Sequence, residues 1–211
     1  MTMKMAFYFD QSRCMGCNSC TVACKDYYDV NPGPVRYRKQ FTYEADDSAG
    51  GFYSLVMSCN HCEEPACMEA CSVGAISKRA DGIVIVDRDK CEDLQACVLM
   101  CPFAEPGIAD DKQEPKEQWK STWKVNHPMQ KCNMCVELLD KGEKTVCERA
   151  CPVHAIEVGD YDELKRKHPD AEPLTMDKYP YAWINPSGEE NTGPNMLVKP
   201  KRKLKITGNY K

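Results

Sequence analysis

With 211 residues, the chain is long enough for one domain or two small ones in close contact. Leu, Ile, Val and Phe make up only 35 of those 211 positions, below the roughly 20% of an ordinary folded core. Yet 28 Lys and Arg against 32 Asp and Glu leave a net charge of −4, too small for a chain kept unfolded by its own repulsion. That balance also excludes the basic excess expected of a nucleic-acid binder. The remaining candidate for a core is cysteine, present 15 times and always between Cys14 and Cys151. No apolar stretch approaches the ~18 residues needed to cross a bilayer. Met1 to Phe9 has neither a signal-peptide core nor a twin-arginine pair. The expectation is a protein soluble by itself, cytoplasmic or exported under a partner's guidance.

In chain order, "MAFYFD" predicts a strand leading into a first cysteine block, Cys14, Cys17, Cys20 and Cys24, with Ser19 to Tyr27 as a short helix. "GFYSLVMS" predicts a strand running into Cys59, Cys62, Cys67 and Cys71, a block that also holds His61 and Pro65. "GAISKRADGIVIVD" reads as a hairpin turning tightly at Asp81-Gly82. Cys91 to Met100 can be helical and carries most of a third block, Cys91, Cys97 and Cys101. A polar, proline-containing insertion, 102–131, holds Trp119 and Trp123. The fourth block is Cys132, Cys135, Cys147 and Cys151, after which "AIEVGD" mirrors the strand that follows block two. A helix over Asp162 to His168 is followed by a proline-rich extended stretch. Its Tyr179, Tyr181 and Trp183 read as interface anchors or as a cover over the protein's own cysteine sites. The basic end "VKPKRKLKITGNYK" reads as a solvated tail, with a partner or membrane surface as the other reading. The fold class is α+β.

Three chemistries compete for these blocks. Disulfides suit small secreted chains with an even cysteine count, which 15 is not. Zinc takes paired CxxC knuckles, but blocks one and two each insert a third cysteine where a knuckle has none. CxxCxxCxxxC, with Pro102 and Pro152 after the last thiol of two blocks, is iron-sulfur spacing. Three thiolates on a tight loop reach three irons of one cube, and the fourth lies beyond the loop's reach and serves the neighbouring cluster. Gly16 lets the first loop bend and turn N–H groups to sulfur, or is an ordinary turn glycine. His61 and His154 stand beside cluster cysteines as potential-tuning donors or as filler. Lys131 and Arg149 stand there as charge compensation or as solvated side chains. No Ser-His-Asp grouping points to bond chemistry.

The pieces "SRCMGCNSCTVACK", "SCNHCEEPACMEACSVGAISKRADGIVIVD", "CVLMCP" and "QKCNMCVELLDKGEKTVCERACPVHAI", in that order, resemble the four-cluster iron-sulfur subunits of the dimethyl sulfoxide reductase family of molybdenum and tungsten oxidoreductases. The resemblance implies two interleaved bacterial-ferredoxin-like halves over 1–160, with 102–131 inserted, and a short helix with an extended partner-binding tail over 161–211. It implies an electron-transfer subunit, not an enzyme by itself. Such a subunit would serve a large bis-pterin molybdenum or tungsten catalytic subunit and a quinone-reactive membrane subunit or soluble carrier. It further implies that block one pairs with block four and block two with block three. Cys14, Cys17, Cys20 and Cys151 would hold one [4Fe-4S] cluster, Cys24, Cys132, Cys135 and Cys147 a second, and Cys59, Cys62, Cys67 and Cys101 a third. Cys71, Cys91 and Cys97 remain, with Leu94 at the place of the fourth ligand, so the last site is expected to hold a [3Fe-4S] cluster of comparatively high potential. An oxygen ligand from Asp93 or Glu92 is the competing reading. Ser72 stands where the family often has Pro, and the C-terminal membrane helix of formate dehydrogenase versions is absent from this sequence. A free-standing polyferredoxin and a zinc-stabilised interaction module are the alternative functions.

Overall fold

The computed structural model describes residues 3–33, 35–44, 52–110, 120–175 and 192–201. Trp119, Tyr179, Tyr181, Trp183 and the basic residues beyond Lys201 lie outside them. Strand β1 (Met5–Asp10) is buried along its whole length, as its unbroken apolar run requires of a strand covered on both faces. It pairs antiparallel with β6 (Ile156–Asp160), from Met5 opposite Asp160 to Phe9 opposite Ile156. On its other edge it pairs parallel with β8 (Met196–Lys199), and β7 (Glu172–Pro173) closes the sheet in the order β6-β1-β8-β7. Two hairpins complete the strands: β2 (Arg38–Glu44) with β3 (Phe52–Ser58), and β4 (Ile76–Lys78) with β5 (Val84–Val86).

Among the described residues the helices are short. Helix α1 (Ser19–Tyr27) packs against α5 (Val146–Arg149), and α2 (Ala66–Glu69) against α3 (Ala96–Leu99), while α4 (Val136–Leu139) follows Cys135. Helix α6 (Tyr161–Lys167) lies on β1 and β6. Thiols are part of the core. Cys20, Cys24, Cys59, Cys132, Cys147 and Cys151 sit in one buried cluster with Phe7, Phe9, Leu55, Met57 and Ile83.

Three details differ from the expectations. The β4–β5 turn is a three-residue loop, closed by Arg79 N–H to Ile83 O and Gly82 N–H to Arg79 O, each 2.9 Å. Only Gly82 is left-handed there (φ 81°), and the Asp81 carboxylate closes the loop by accepting from Ile83 N–H at 3.2 Å. Between Cys91 and Met100 only α3 is helical, since Asp93 (φ 53°) and Gln95 (φ 59°) are both left-handed and end any helix before it. Residues 192–201 do not stand apart, for β8 is an inner strand of the main sheet.

Candidate metal centres

The four blocks share one local shape. Two residues after its first cysteine, each turns through a left-handed residue: Gly16 (φ 71°), His61 (45°), Asp93 (53°) and Met134 (58°). That conformation curls the backbone so that N–H groups face the preceding sulfur. Gly16 N–H bonds to the Cys14 thiol, and Met134 N–H donates to Cys132 Sγ at 3.3 Å. Gly16 needs its missing Cβ, which would stand 2.8 Å from Ser54 Oγ. The turn is present in block three as well, where it sets Leu94 where the other blocks have Cys17, Cys62 and Cys135. A second shape recurs after the last thiols. Gly74 (φ 62°) and His154 (φ 50°) are left-handed, and the next N–H groups, of Ala75 and Ala155, donate to Cys71 Sγ and Cys151 Sγ at 3.2 Å.

Tertiary packing then sorts the thiols. One cavity is lined by Cys14, Cys17, Cys20 and Cys151. Another is lined by Cys59, Cys62, Cys67 and Cys101, and a third by Cys71, Cys91 and Cys97 with Leu94, Asp93 and Glu92. Cys24, Cys132, Cys135 and Cys147 lie within electrostatic reach of one another. Cys20 is likewise near Cys147, Cys132 near Cys59, and Cys67 near Cys97, so the four groups follow one another in a row. A larger cavity of about 360 Å³, between Tyr28, Tyr37, Arg88 and Trp123, has no thiol on its wall.

The polar groups around these thiols fit a large anionic occupant. Burial pushes the thiols of Cys24, Cys62, Cys67 and Cys101 up to about 12, whereas exposed Cys17 is lowered by its hydrogen bond with Ser19 Oγ at 3.3 Å. Bound metal would displace those protons. His61 is 0% exposed and its Nδ1 accepts from Val84 N–H at 3.0 Å. Its Nε2 therefore carries the hydrogen and has no partner among the described residues. An orphaned donor costs about 1–3 kcal/mol, and cluster sulfur is an acceptor that would remove that cost. Arg38 (3% exposed) and Lys131 (4%) are buried without a carboxylate in ion-pair range among the described residues. Such isolation is costly unless negative charge stands nearby.

Sequence reasoning singled out Lys131 and His61, both buried here, and also His154 and Arg149, which are exposed, Arg149 standing 3.8 Å from Glu143. It missed Arg38, Glu105, Thr192 and Asn195. Thr192 Oγ1 donates to Cys62 Sγ at 3.2 Å, and Asn195 Nδ2 donates to His61 O at 2.6 Å, so the segment leading into β8 covers block two. Glu105 lies on the wall of the Cys59 cavity, where burial raises its carboxyl to about 7. No periodicity marks these residues; only a Thr or Asn preceding a short apolar strand hints at them.

Similarity to known proteins decides the class. A family profile described as a 4Fe-4S dicluster domain matches residues 52–161. The B subunit of the anaerobic dimethyl sulfoxide reductase of Escherichia coli (strain K12) is 35% identical over 99% of this chain and 94% of its own length. The chain belongs to the iron-sulfur subunits of the molybdopterin oxidoreductases. The thiosulfate reductase electron transfer subunit PhsB of Salmonella typhi is 32% identical over 77% of the chain and 79% of its own length. The formate dehydrogenase iron-sulfur subunit of Wolinella succinogenes is 30% identical over 76% and 84%. The protein is thus a non-catalytic, iron-sulfur electron-transfer subunit of ferredoxin-like α+β type. Among the described residues no helix is long and apolar enough to cross a membrane.

Proposed function

We propose that this subunit relays electrons between a bis-pterin molybdenum or tungsten catalytic subunit and a membrane quinone-reactive subunit or soluble carrier, using three [4Fe-4S] clusters and one [3Fe-4S] cluster. Cys14, Cys17, Cys20 and Cys151 would hold one cube, Cys24, Cys132, Cys135 and Cys147 the next, and Cys59, Cys62, Cys67 and Cys101 the third. Cys71, Cys91 and Cys97 would hold the [3Fe-4S] cluster. Bound clusters accept and release single electrons with little change of shape. The cysteines anchor them, the left-handed turns aim N–H donors at sulfur, and the surrounding apolar side chains keep water away. The observation that carries this reading is the row of thiol groups, each drawn from two blocks distant in sequence. The reading divides the chain into interleaved ferredoxin-like halves over 1–160, with 102–131 inserted, and a C-terminal segment over 161–211 that binds the partner while its α6, β7 and β8 pack on the main sheet. Exposed Met15 and Val22 near one end of the row, and Leu94, Leu99 and Met100 near the other, support docking of a partner at each end.

At the last site the missing thiol supports three irons. Leu94 is 60% exposed, so steric exclusion of water is not its contribution; it lacks a lone pair. One observation favours the competing ligand: Asp93 Oδ1 is buried beside these cysteines without a hydrogen-bond partner among the described residues, whereas Glu92 is engaged by Lys124 at 2.9 Å. Electron paramagnetic resonance of the air-oxidised native complex separates the two, because only an oxidised [3Fe-4S] cluster is paramagnetic. Leu94→Cys is expected to abolish that signal and add one iron. Silence in the parent protein, with iron sufficient for four cubes, would transfer the assignment to Asp93. A stable monomer purified with full clusters and no large molybdenum or tungsten subunit would contradict the relay between partners.

A further inference from the structure

We propose that Arg38 and Lys131 set the potentials of the two inner centres, Arg38 raising that of the Cys24 group and Lys131 that of the Cys59 group. The inference rests on the relay reading above. Lys131 is placed for this by covalent structure and by packing. Its backbone leads directly into Cys132, while its side chain lines the cavity of Cys59, Cys62 and Cys67. The ammonium donates to Val84 O and, at 2.9 Å, to Cys132 O, leaving one of its three N–H bonds for an acceptor in that cavity. Arg38 projects from β2 opposite Ser58, the residue before Cys59. Its Nη2 donates to Ser58 Oγ at 3.1 Å, and its guanidinium lies 4.7 Å from the centre of the Phe7 ring. Strand β2 packs on α1, the helix that carries Cys20 and Cys24, so the guanidinium lies in the field of Cys147, Cys20, Cys132 and Cys24, three of which belong to one group. Glu105, an acid in its field, is paired with Lys39 at 3.7 Å.

The outer centres differ. Among the described residues no Lys or Arg lines the Cys14 cavity or the Cys71 cavity. Reduction adds one electron, and so one negative charge, to a centre without breaking a bond or moving a proton. Burial opposes that added charge most strongly in the middle of the row, and a fixed cation offsets it there. Each electron then passes to the next centre without a deep uphill step.

The test is a redox titration of the intact native complex, followed by electron paramagnetic resonance, for Lys131→Gln, Lys131→Arg, Arg38→Gln and Arg38→Lys. Lys131→Gln is expected to lower the reduction equilibrium of the Cys59 centre about tenfold, about 59 mV for one electron. Arg38→Gln should do the same at the Cys24 centre, and both charge-conserving variants should stay near the parent. The proposal is overturned if neutral and charge-conserving variants shift alike, if nothing shifts while iron and sulfide remain complete, or if all four centres move together. Loss of iron from a neutral variant also counts against it, because a residue that only tunes potential is not needed for assembly. Absence of iron and acid-labile sulfide from the parent complex would instead refute the relay reading.

Discussion

A left-handed turn at a ligand loop is decided by single side chains. Gly16 is the tightest case, because its φ of 71° is unfavourable for any residue with a Cβ and that Cβ would stand 2.8 Å from Ser54 Oγ. Gly16→Ala is expected to cost about 1–2 kcal/mol from backbone strain alone, and more from the contact. The check is thermal unfolding of the loaded protein together with its iron content, with the Cys14 site losing metal first. His61, Asp93 and Met134 tolerate the same conformation at a cost their surroundings must hold in place. His61 shows how: Val84 N–H grips its ring and Asn195 grips its carbonyl.

At the scale of elements, two attachments keep the sheet over the centres. Asp160 ends β6 and caps α6, its Oδ1 accepting from Asp162 N–H and Glu163 N–H at 3.1 Å each and its Oδ2 from Lys4 N–H at 3.0 Å. Asp160→Ala should lower stability by about 1 kcal/mol in denaturant unfolding. These N–H donors, Lys4 first, hold the carboxyl below its ordinary 3.8. A depressed folded pKa means the native state binds fewer protons, so the contribution is complete at neutral pH and disappears as pH falls below about 3.8. The Asp160→Ala difference should therefore shrink in acid unfolding titrations. The second attachment is the segment entering β8, where Asn195 N–H donates to Asn60 O at 2.9 Å and Glu63 N–H to Gly193 O at 2.7 Å. Asn195→Ala leaves the buried His61 carbonyl unsatisfied and should cost about 1–3 kcal/mol. Faster bleaching of the cluster absorbance in air is the measurement that checks it.

For the whole molecule, the scarcity of aliphatic residues and the burial of thiols have one consequence. The largest buried cluster mixes cysteines with Phe9, Leu55 and Met57, so whatever those cysteines hold becomes part of the core. Binding energy of the clusters is then folding energy. Iron chelation under reducing conditions should abolish the cooperative calorimetric transition, and anaerobic reconstitution with iron and sulfide should restore it. A transition unchanged after complete iron removal would show that burial alone suffices. Surface pairs such as Lys4 with Glu63 at 2.8 Å contribute little to that balance, being exposed to solvent.

Much of this was legible in residue order, because loop ligands and amphipathic strands are local features. The cysteine spacing, the six residues of β1, helix α1, strand β6 and the hairpin of β4 and β5 all follow from neighbours within a few positions. Which thiols share a cavity does not, since Cys151 meets Cys14 only when β6 pairs with β1 across the length of the chain. Nor does the parallel pairing of β8 with β1, for "MLVK" is too short to announce a strand and its partner lies at the other end of the sequence. Arg38 is the sharpest case. A charged residue in "RYRKQFTYE" reads as solvent-facing, because burying a charge is unfavourable without a counter-charge. Only tertiary packing buries it, by setting its guanidinium against Ser58 Oγ and the Phe7 ring, close to cysteines of two distant blocks.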